Sequence, residues 1–254
     1  FASEHCPEGI VAIAGNTLRI LSLDRLGDAF HAEALPLRYT PRKVGVHSIS
    51  GNLVVIEADH NAYNEEEKAQ LYAAAGVTPP LPAGTPVPDD EEGEGIVTEQ
   101  NVGVPRAMAG KWASCIRVVD PATRETLSLI ELDNNEAAVS VAMVPLRDRA
   151  GETFVFVGTV KDMSLKPRAL SAAYIHCYQF TNGNTTLELV HKTPVEDVPK
   201  ALVGFGGRLL AGVGSCVRLF DMGKKRLLRK CDLRGLPTLV HSIHVISPSR
   251  LVVG

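Results

Sequence analysis

The chain has 254 residues, of which 45% are hydrophobic and 22% charged, with a formal net charge of −3. That length and apolar content suit one large all-β domain or two ordinary ones. The near-neutral balance excludes a global field that would steer the whole chain to nucleic acid or to anionic lipid.

Short apolar runs with two-residue alternation dominate from the first residues onward. "GIVAIAG" (9–15), "TLRILSLD" (17–24), "PRKVGVHS" (41–48) and "NLVVIEAD" (52–59) come first. "NEEEKAQLYAAAG" (64–76) then breaks the pattern with good helix formers and an acidic first turn, which predicts a short helix. Strand runs resume with "ASCIRVVD" (113–120), "TLSLIEL" (126–132), "AAVSVAMV" (137–144), "TFVFVGTV" (153–160), "AYIHCYQF" (173–180) and "TLELVHK" (186–192). "KALVGF" (200–205), "RLLAGVG" (208–214), "CVRLFD" (216–221), "RLLRKC" (226–231), "TLVHSIHVI" (238–246) and "RLVVG" (250–254) complete the series. Each run is bounded by Gly, Pro, Asn or Asp, as strands are.

The runs group in fours, and the third member of each group looks like the others: "TLRIL", "CIRVV", "YIHCY", "CVRLF". A repeat of roughly 40 residues with four strands per unit predicts the blades of a β-propeller. The expected fold class is therefore all-β: about three complete four-stranded antiparallel blades, with partial blades at both ends, so that residues 1–254 form part of a single propeller. The first residue is Phe1, no signal-peptide pattern follows it, and the final "SRLVVG" closes without a turn, so both ends are expected to be cuts through a longer polypeptide. Residues 62–110, between the second and third strands of one blade, are rich in Pro, Gly, Asp and Glu and predict a largely disordered insertion.

No apolar run approaches the ~20 residues that span a bilayer. The cysteines (Cys6, Cys115, Cys177, Cys216, Cys231) are odd in number, widely spaced and without a C-x-x-C pair, which predicts a reducing compartment. Four of them lie in strand runs, where buried free thiols are expected.

The glycine-rich "GFGGRLLAGVGSCVRLF" (204–220) invites a phosphate-cradle reading. A dinucleotide fingerprint needs a third glycine and a helix starting at the loop. Leu209 or Val217 stands where that glycine would be, and an alternating run follows. Hairpin turns account for the glycines better. "HSIH" places His241 and His244 on opposite faces of a strand, so they cannot share an ion. No zinc spacing, Walker A loop or G-x-S-x-G string occurs. No catalytic, cofactor-binding or metal-ligating residue is expected. The candidate partner-binding residues are His60, Asn61 and Tyr63, where a strand leaves for the insertion, and Lys224, Lys225 and Arg226, at a hairpin tip that opens the basic run "GKKRLLRK". That run fits a solvated tip whose lysines discourage edge pairing, or a contact with RNA or an acidic partner.

Longer strings add a resemblance. "FASEHCPEGIVAI", "YTPRK", "IEADHNAY", "KWASCIRVVDP", "NNEAAVSVA", "VGTVKDMSLKPR" and "VHKTPVEDVPKAL" closely resemble the family of the third subunit of splicing factor 3b, large triple-propeller proteins of the spliceosome. The wider family includes the large damaged-DNA-binding subunit and the largest cleavage-and-polyadenylation subunit. The resemblance implies part of the third propeller, a nuclear location and a non-enzymatic scaffold supporting branch-site recognition in pre-mRNA splicing. Its implied partners are the HEAT-repeat subunit, a small helical subunit and the other propellers of the parent chain. It implies no cofactor, small-molecule substrate or membrane, and leaves direct RNA contact open. An adaptor of a ubiquitin-ligase or RNA 3′-end-processing complex is the alternative.

Overall fold

Alternating apolar runs cut by turn residues favour up-and-down antiparallel sheets, and a computed structural model shows them. It describes residues 9–22, 31–60, 65–76, 110–149, 152–223 and 226–254. The first sheet holds β1 (Gly9–Ala14), β2 (Thr17–Ser22) and β3 (His31–Pro36) in that order. The second holds β4 (Pro41–Val46), β5 (Leu53–His60), β6 (Trp112–Val119) and β7 (Thr126–Glu131), with helix α1 (Glu65–Ala75) between β5 and β6. The third holds β8 (Glu136–Pro145), β9 (Thr153–Lys161), β12 (Ala172–Thr181) and β13 (Thr186–Val195). A small hairpin of β10 (Ser164–Leu165) and β11 (Arg168–Ala169) joins β9 to β12. The fourth holds β14 (Pro199–Phe205), β15 (Arg208–Val213), β16 (Cys216–Met222) and β17 (Leu227–Leu233). A last pair joins β18 (Ile243–Ser247) to β19 (Arg250–Val253).

The sheets stack serially, and the interior sheets bury both faces against their neighbours. Leu18 packs against Leu53, Val55 and Val119. Ile116 and Val118 meet Val155, Val157 and Leu187. Phe156 and Ile175 meet Leu209 and Phe220, and Val217 meets Val240 and Ile243. The first strands of successive sheets run side by side in one direction: Ser140 meets Pro199, and Val144 lies beside Gly204 further along. Gly158 permits this approach. A Cβ there would overlap Ser140 Oγ and lie 2.5 Å from the Pro199 carbonyl oxygen. Stacked four-stranded antiparallel sheets are consistent with a propeller-like β-fold.

The three groups of four expected from the sequence form the three four-stranded sheets, and α1 lies where the helix was predicted. Gly206 (φ +59°) and Gly207 (φ +70°) make the turn between Phe205 and Arg208, so the glycine stretch is hairpin and not a phosphate loop. The repeat implies a fourth strand after "TLRIL" without locating it, and β3 stands there; β10 and β11 were not expected. The run at 238–246 is strand only over Ile243–Ser247, because Val240 instead turns inward against Gly212. Cys115 and Cys177 are buried, and desolvation pushes the Cys177 thiol up to about 12. Contrary to expectation, Cys216 is half-buried and Cys231 is exposed, the latter because β17 is the outer strand of its sheet. Apart from α1, Gly76 and Gly110, the insertion lies outside the described residues.

The shared third-strand pattern places a basic side chain in each four-stranded sheet: Arg117 on β6, His176 on β12 and Arg218 on β16. All three are buried, and their neighbours Ile116, Ile175 and Val217 point to the opposite face. Each meets carboxylates of its own sheet or of the segment leading into it. Arg117 Nε lies 2.5 Å from Glu57 Oε1, and its Nη1 donates to Thr126 Oγ1 (2.9 Å). The backbone N–H of Tyr39 donates to Glu57 Oε2 (2.9 Å). His176 Nε2 lies 3.0 Å from Glu136 Oε1 and 3.2 Å from Thr159 Oγ1. Arg218 pairs with Glu196 and Asp232. Arg19 on β2 holds the same place in its run and is exposed; no described sheet covers that face.

Leaving either Glu57 or Arg117 unpaired is expected to cost about 3–5 kcal/mol. Glu57→Ala in the intact protein should accelerate amide exchange across β5 and β6, while Glu57→Leu combined with Arg117→Met should recover most of the loss. Burial alone would raise the Glu136 carboxyl, but hydrogen bonds with His176 and Thr159 outweigh it and hold it below its ordinary value. A depressed carboxyl contributes stability that is present above the unfolded pKa of about 4.3 and is lost as pH falls through the folded one. Glu136→Gln should therefore flatten the acid limb of stability below about pH 4.3, read from unfolding midpoints across pH.

Candidate protein-interaction surface

Because equivalent strands run in the same direction, the connections collect at two opposite ends of the stack. One end carries the β5–β6 exit to the insertion. There His60 and Trp112 form the last pair of the ladder. Their rings lie 4.7 Å apart at 45°. The Trp112 backbone N–H donates to Asn135 Oδ1 (2.8 Å), and its indole Nε1–H donates to the Met163 carbonyl (2.7 Å). Asn135 in turn donates to Asp162 Oδ1 (2.7 Å), and Ser171 Oγ donates to Asp162 Oδ2 (2.5 Å). Across the β10–β11 hairpin, Arg168 is ion-paired with Asp197, which precedes the fourth sheet. Lys111 reaches Glu67 of α1 at 3.5 Å.

These contacts join three sheets, α1 and the hairpin into one ledge. The hairpin is held at its base by Trp112 and at its side by Asp197, and it presents Leu165 at 55% exposure. A fixed loop with an exposed apolar side chain suits contact with another protein, since little ordering cost remains to be met on binding.

Of the expected site residues, His60 belongs to this ledge, while Asn61 and Tyr63 lie outside the described residues. Arg226 is exposed at the opposite end, where its carbonyl accepts from Gly223 N–H (2.8 Å); Lys224 and Lys225 lie outside the described residues. The two groups are thus not brought together. Trp112, Asn135 and the hairpin were not singled out from the sequence. The signal for Trp112 was its place directly before the run that pairs with the strand ending in His60.

A cleft of about 330 Å³ between the second and third sheets is lined by Glu131, Asp133, His176, Tyr178 and Lys192 among others. Two of its carboxylates are already engaged: Glu131 with Arg38 and Tyr39, Asp133 with Lys192. Among the described residues, no group of three or more His, Cys, Asp or Glu side chains is arranged to hold a metal ion. No described helix is long and apolar enough to cross a membrane.

Residues 113–254 match the family described as the CPSF A subunit region. Over its whole length the chain is 45% identical to Splicing factor 3B subunit 3 of Danio rerio, covering 21% of that protein. It is likewise 44% identical to Spliceosome-associated protein 130 A of Arabidopsis thaliana, covering 22% of it, and 42% identical to Pre-mRNA-splicing factor rse1 of Neurospora crassa, covering 20%. The chain therefore spans about a fifth of the length of these curated relatives.

Trp112→Phe keeps an apolar ring and removes the donor to Met163. It should speed amide exchange over residues 163–171 with little change in β5 and β6. Trp112→Ala, which also opens a cavity, should cost about 3–5 kcal/mol and loosen both regions in the same measurement.

Proposed function

The chain belongs to the CPSF A subunit region family, and from that membership we propose that it is part of a non-enzymatic β-propeller scaffold of splicing factor 3b, acting in the nucleus in pre-mRNA splicing. Whole-length similarity to three proteins bearing splicing names carries this reading. The stacked sheets support it physically, because a rigid array lets separate connections act as one binding surface.

In finer terms, the chain forms part of the third of three propellers and packs with the others of its parent protein. It helps to grip the HEAT-repeat subunit and a small helical subunit, and through them supports branch-site recognition. The ledge of His60, Trp112 and the β10–β11 hairpin is the surface assigned to protein contact. Burial of apolar partner surface around Leu165 would supply most of the affinity there, and charged pairs at the margin would supply specificity. An adaptor role in a ubiquitin-ligase or RNA 3′-end-processing complex is compatible with the family description, but the relatives matched over the whole chain carry splicing names.

Affinity capture with the tagged intact protein in nuclear extract tests the proposal. Other splicing factor 3b subunits should be recovered, and Leu165→Asp should reduce their recovery several-fold. Recovery of a cullin instead, or of no splicing factor 3b subunit, would overturn it.

A further inference from the structure

At the end of the stack opposite the ledge, the connections of the third and fourth sheets bring cations together from four separate places. Arg147 and Arg149 lie on a 3₁₀ turn (Arg147–Arg149) that follows β8. Arg208 follows the β14–β15 turn, Arg226 stands at the β16–β17 tip, and Lys230 is on β17. Backbone contacts hold these segments in place: Arg147 N–H donates to the Gly207 carbonyl (3.1 Å) and Arg149 Nη2 donates to the Gly223 carbonyl (3.0 Å).

The centre of the cluster is Asp221, only 5% exposed. Its Oδ2 lies 3.1 Å from Arg208 Nε, 3.8 Å from Lys230 Nζ and 4.0 Å from Arg147 Nη2. One buried carboxylate thus organises three cations and can neutralise only one. Asp148 adds a second carboxylate, 3.4 Å from Arg147. Hydrogen bonding to Asp221 raises the Asp148 carboxyl above its ordinary value, which weakens its charge as pH falls. Glu152, at the margin, accepts from Gln179. Positive charge is left in excess on this surface, although the chain as a whole is negative.

An excess of ordered, half-exposed guanidinium groups fits a ligand whose negative charges repeat along an extended backbone. A protein partner would draw most of its affinity from an apolar anchor; Leu146, Phe220 and Leu227 beneath the cluster are buried, and Leu228, opposite Asp221 on β17, is a single leucine at 41% exposure among the charged groups. We propose that Arg147, Arg149, Arg208, Arg226 and Lys230 form a contact for the phosphodiester backbone of RNA, made without base reading. The choice of RNA rests on the splicing function proposed above; the phosphate chemistry rests on the cluster alone.

Fluorescence anisotropy with the intact protein, a labelled oligouridylate and a labelled RNA duplex, over a series of salt concentrations, tests this. Arg147→Gln, Arg226→Gln and Lys230→Gln are combined, leaving the Arg208–Asp221 pair in place. The triple variant should bind about tenfold more weakly, and its salt slope for the single strand should fall by about 2. Tighter binding of one probe tells whether a single strand or a helix supplies the phosphates. If the triple variant melts early, Arg226→Glu alone decides, with a several-fold loss expected. Unchanged affinity and salt slope would overturn the proposal. So would preferential binding of a glutamate-rich peptide that displaces the RNA, which would make the cluster a protein site. Because the probes are RNA and not subunits, loss of the splicing assignment and loss of this contact are separate outcomes.

Discussion

A basic side chain buried on the third strand of each four-stranded sheet must find its polar partner without recourse to water, since a buried polar group left unpaired is costly and an unpaired buried charge costs several kcal/mol. Arg117, His176 and Arg218 each find it within their own sheet or in the segment entering it. Glu57 is the fullest case: Arg117 and the Tyr39 backbone N–H occupy its oxygens from two directions. Local neutralisation leaves the faces between sheets largely apolar. Adjacent sheets then stack by burying Ile116, Val157, Phe156 and Leu209 against one another. Polar links between the first strands add to this, with Ser140 donating to the Pro199 carbonyl and Lys43 Nζ to the Lys200 carbonyl.

Stacking in register also sorts the connecting segments. The β5–β6 exit, Asn135, the β10–β11 hairpin and Asp197 collect at one end of the molecule. The segments around Arg147, Gly207 and Gly223 collect at the other. One end is tied together by hydrogen bonds around an indole and an asparagine, and it presents an exposed leucine. The other is tied around a buried aspartate and presents guanidinium groups. A single scaffold thereby offers two faces of different chemistry without any change in the core.

Strand positions were legible because alternation and turn residues are local properties. The repeat implied β3, but its position was not legible because "HAEALP" contains residues poor in β-propensity. β10 and β11 are two residues each and carry no period to detect. The basic residue in "CIRVV", "YIHCY" and "CVRLF" was visible in the strings, but its burial depends on which face meets the neighbouring sheet. Its partners could not be read at all. Glu57 comes from a second strand, Glu136 from a first strand and Glu196 from the segment before one, so no fixed spacing relates basic residue to carboxylate. The ledge was half legible: His60 was noted beside the insertion, whereas Trp112 gains its meaning only from a carbonyl 51 residues away.

The His60–Trp112 pair closes the ladder just where the chain departs at residue 61 and returns before Trp112. A loop closed on a fixed strand pair costs an entropy that grows only with the logarithm of its length, about 0.6 kcal/mol for each doubling. The ladder below that pair is already complete and senses little of what is looped above it. This gives the scaffold a port: a place where chain length and composition can drift over evolutionary time, or be replaced by a grafted domain, while the stack beneath stays the same.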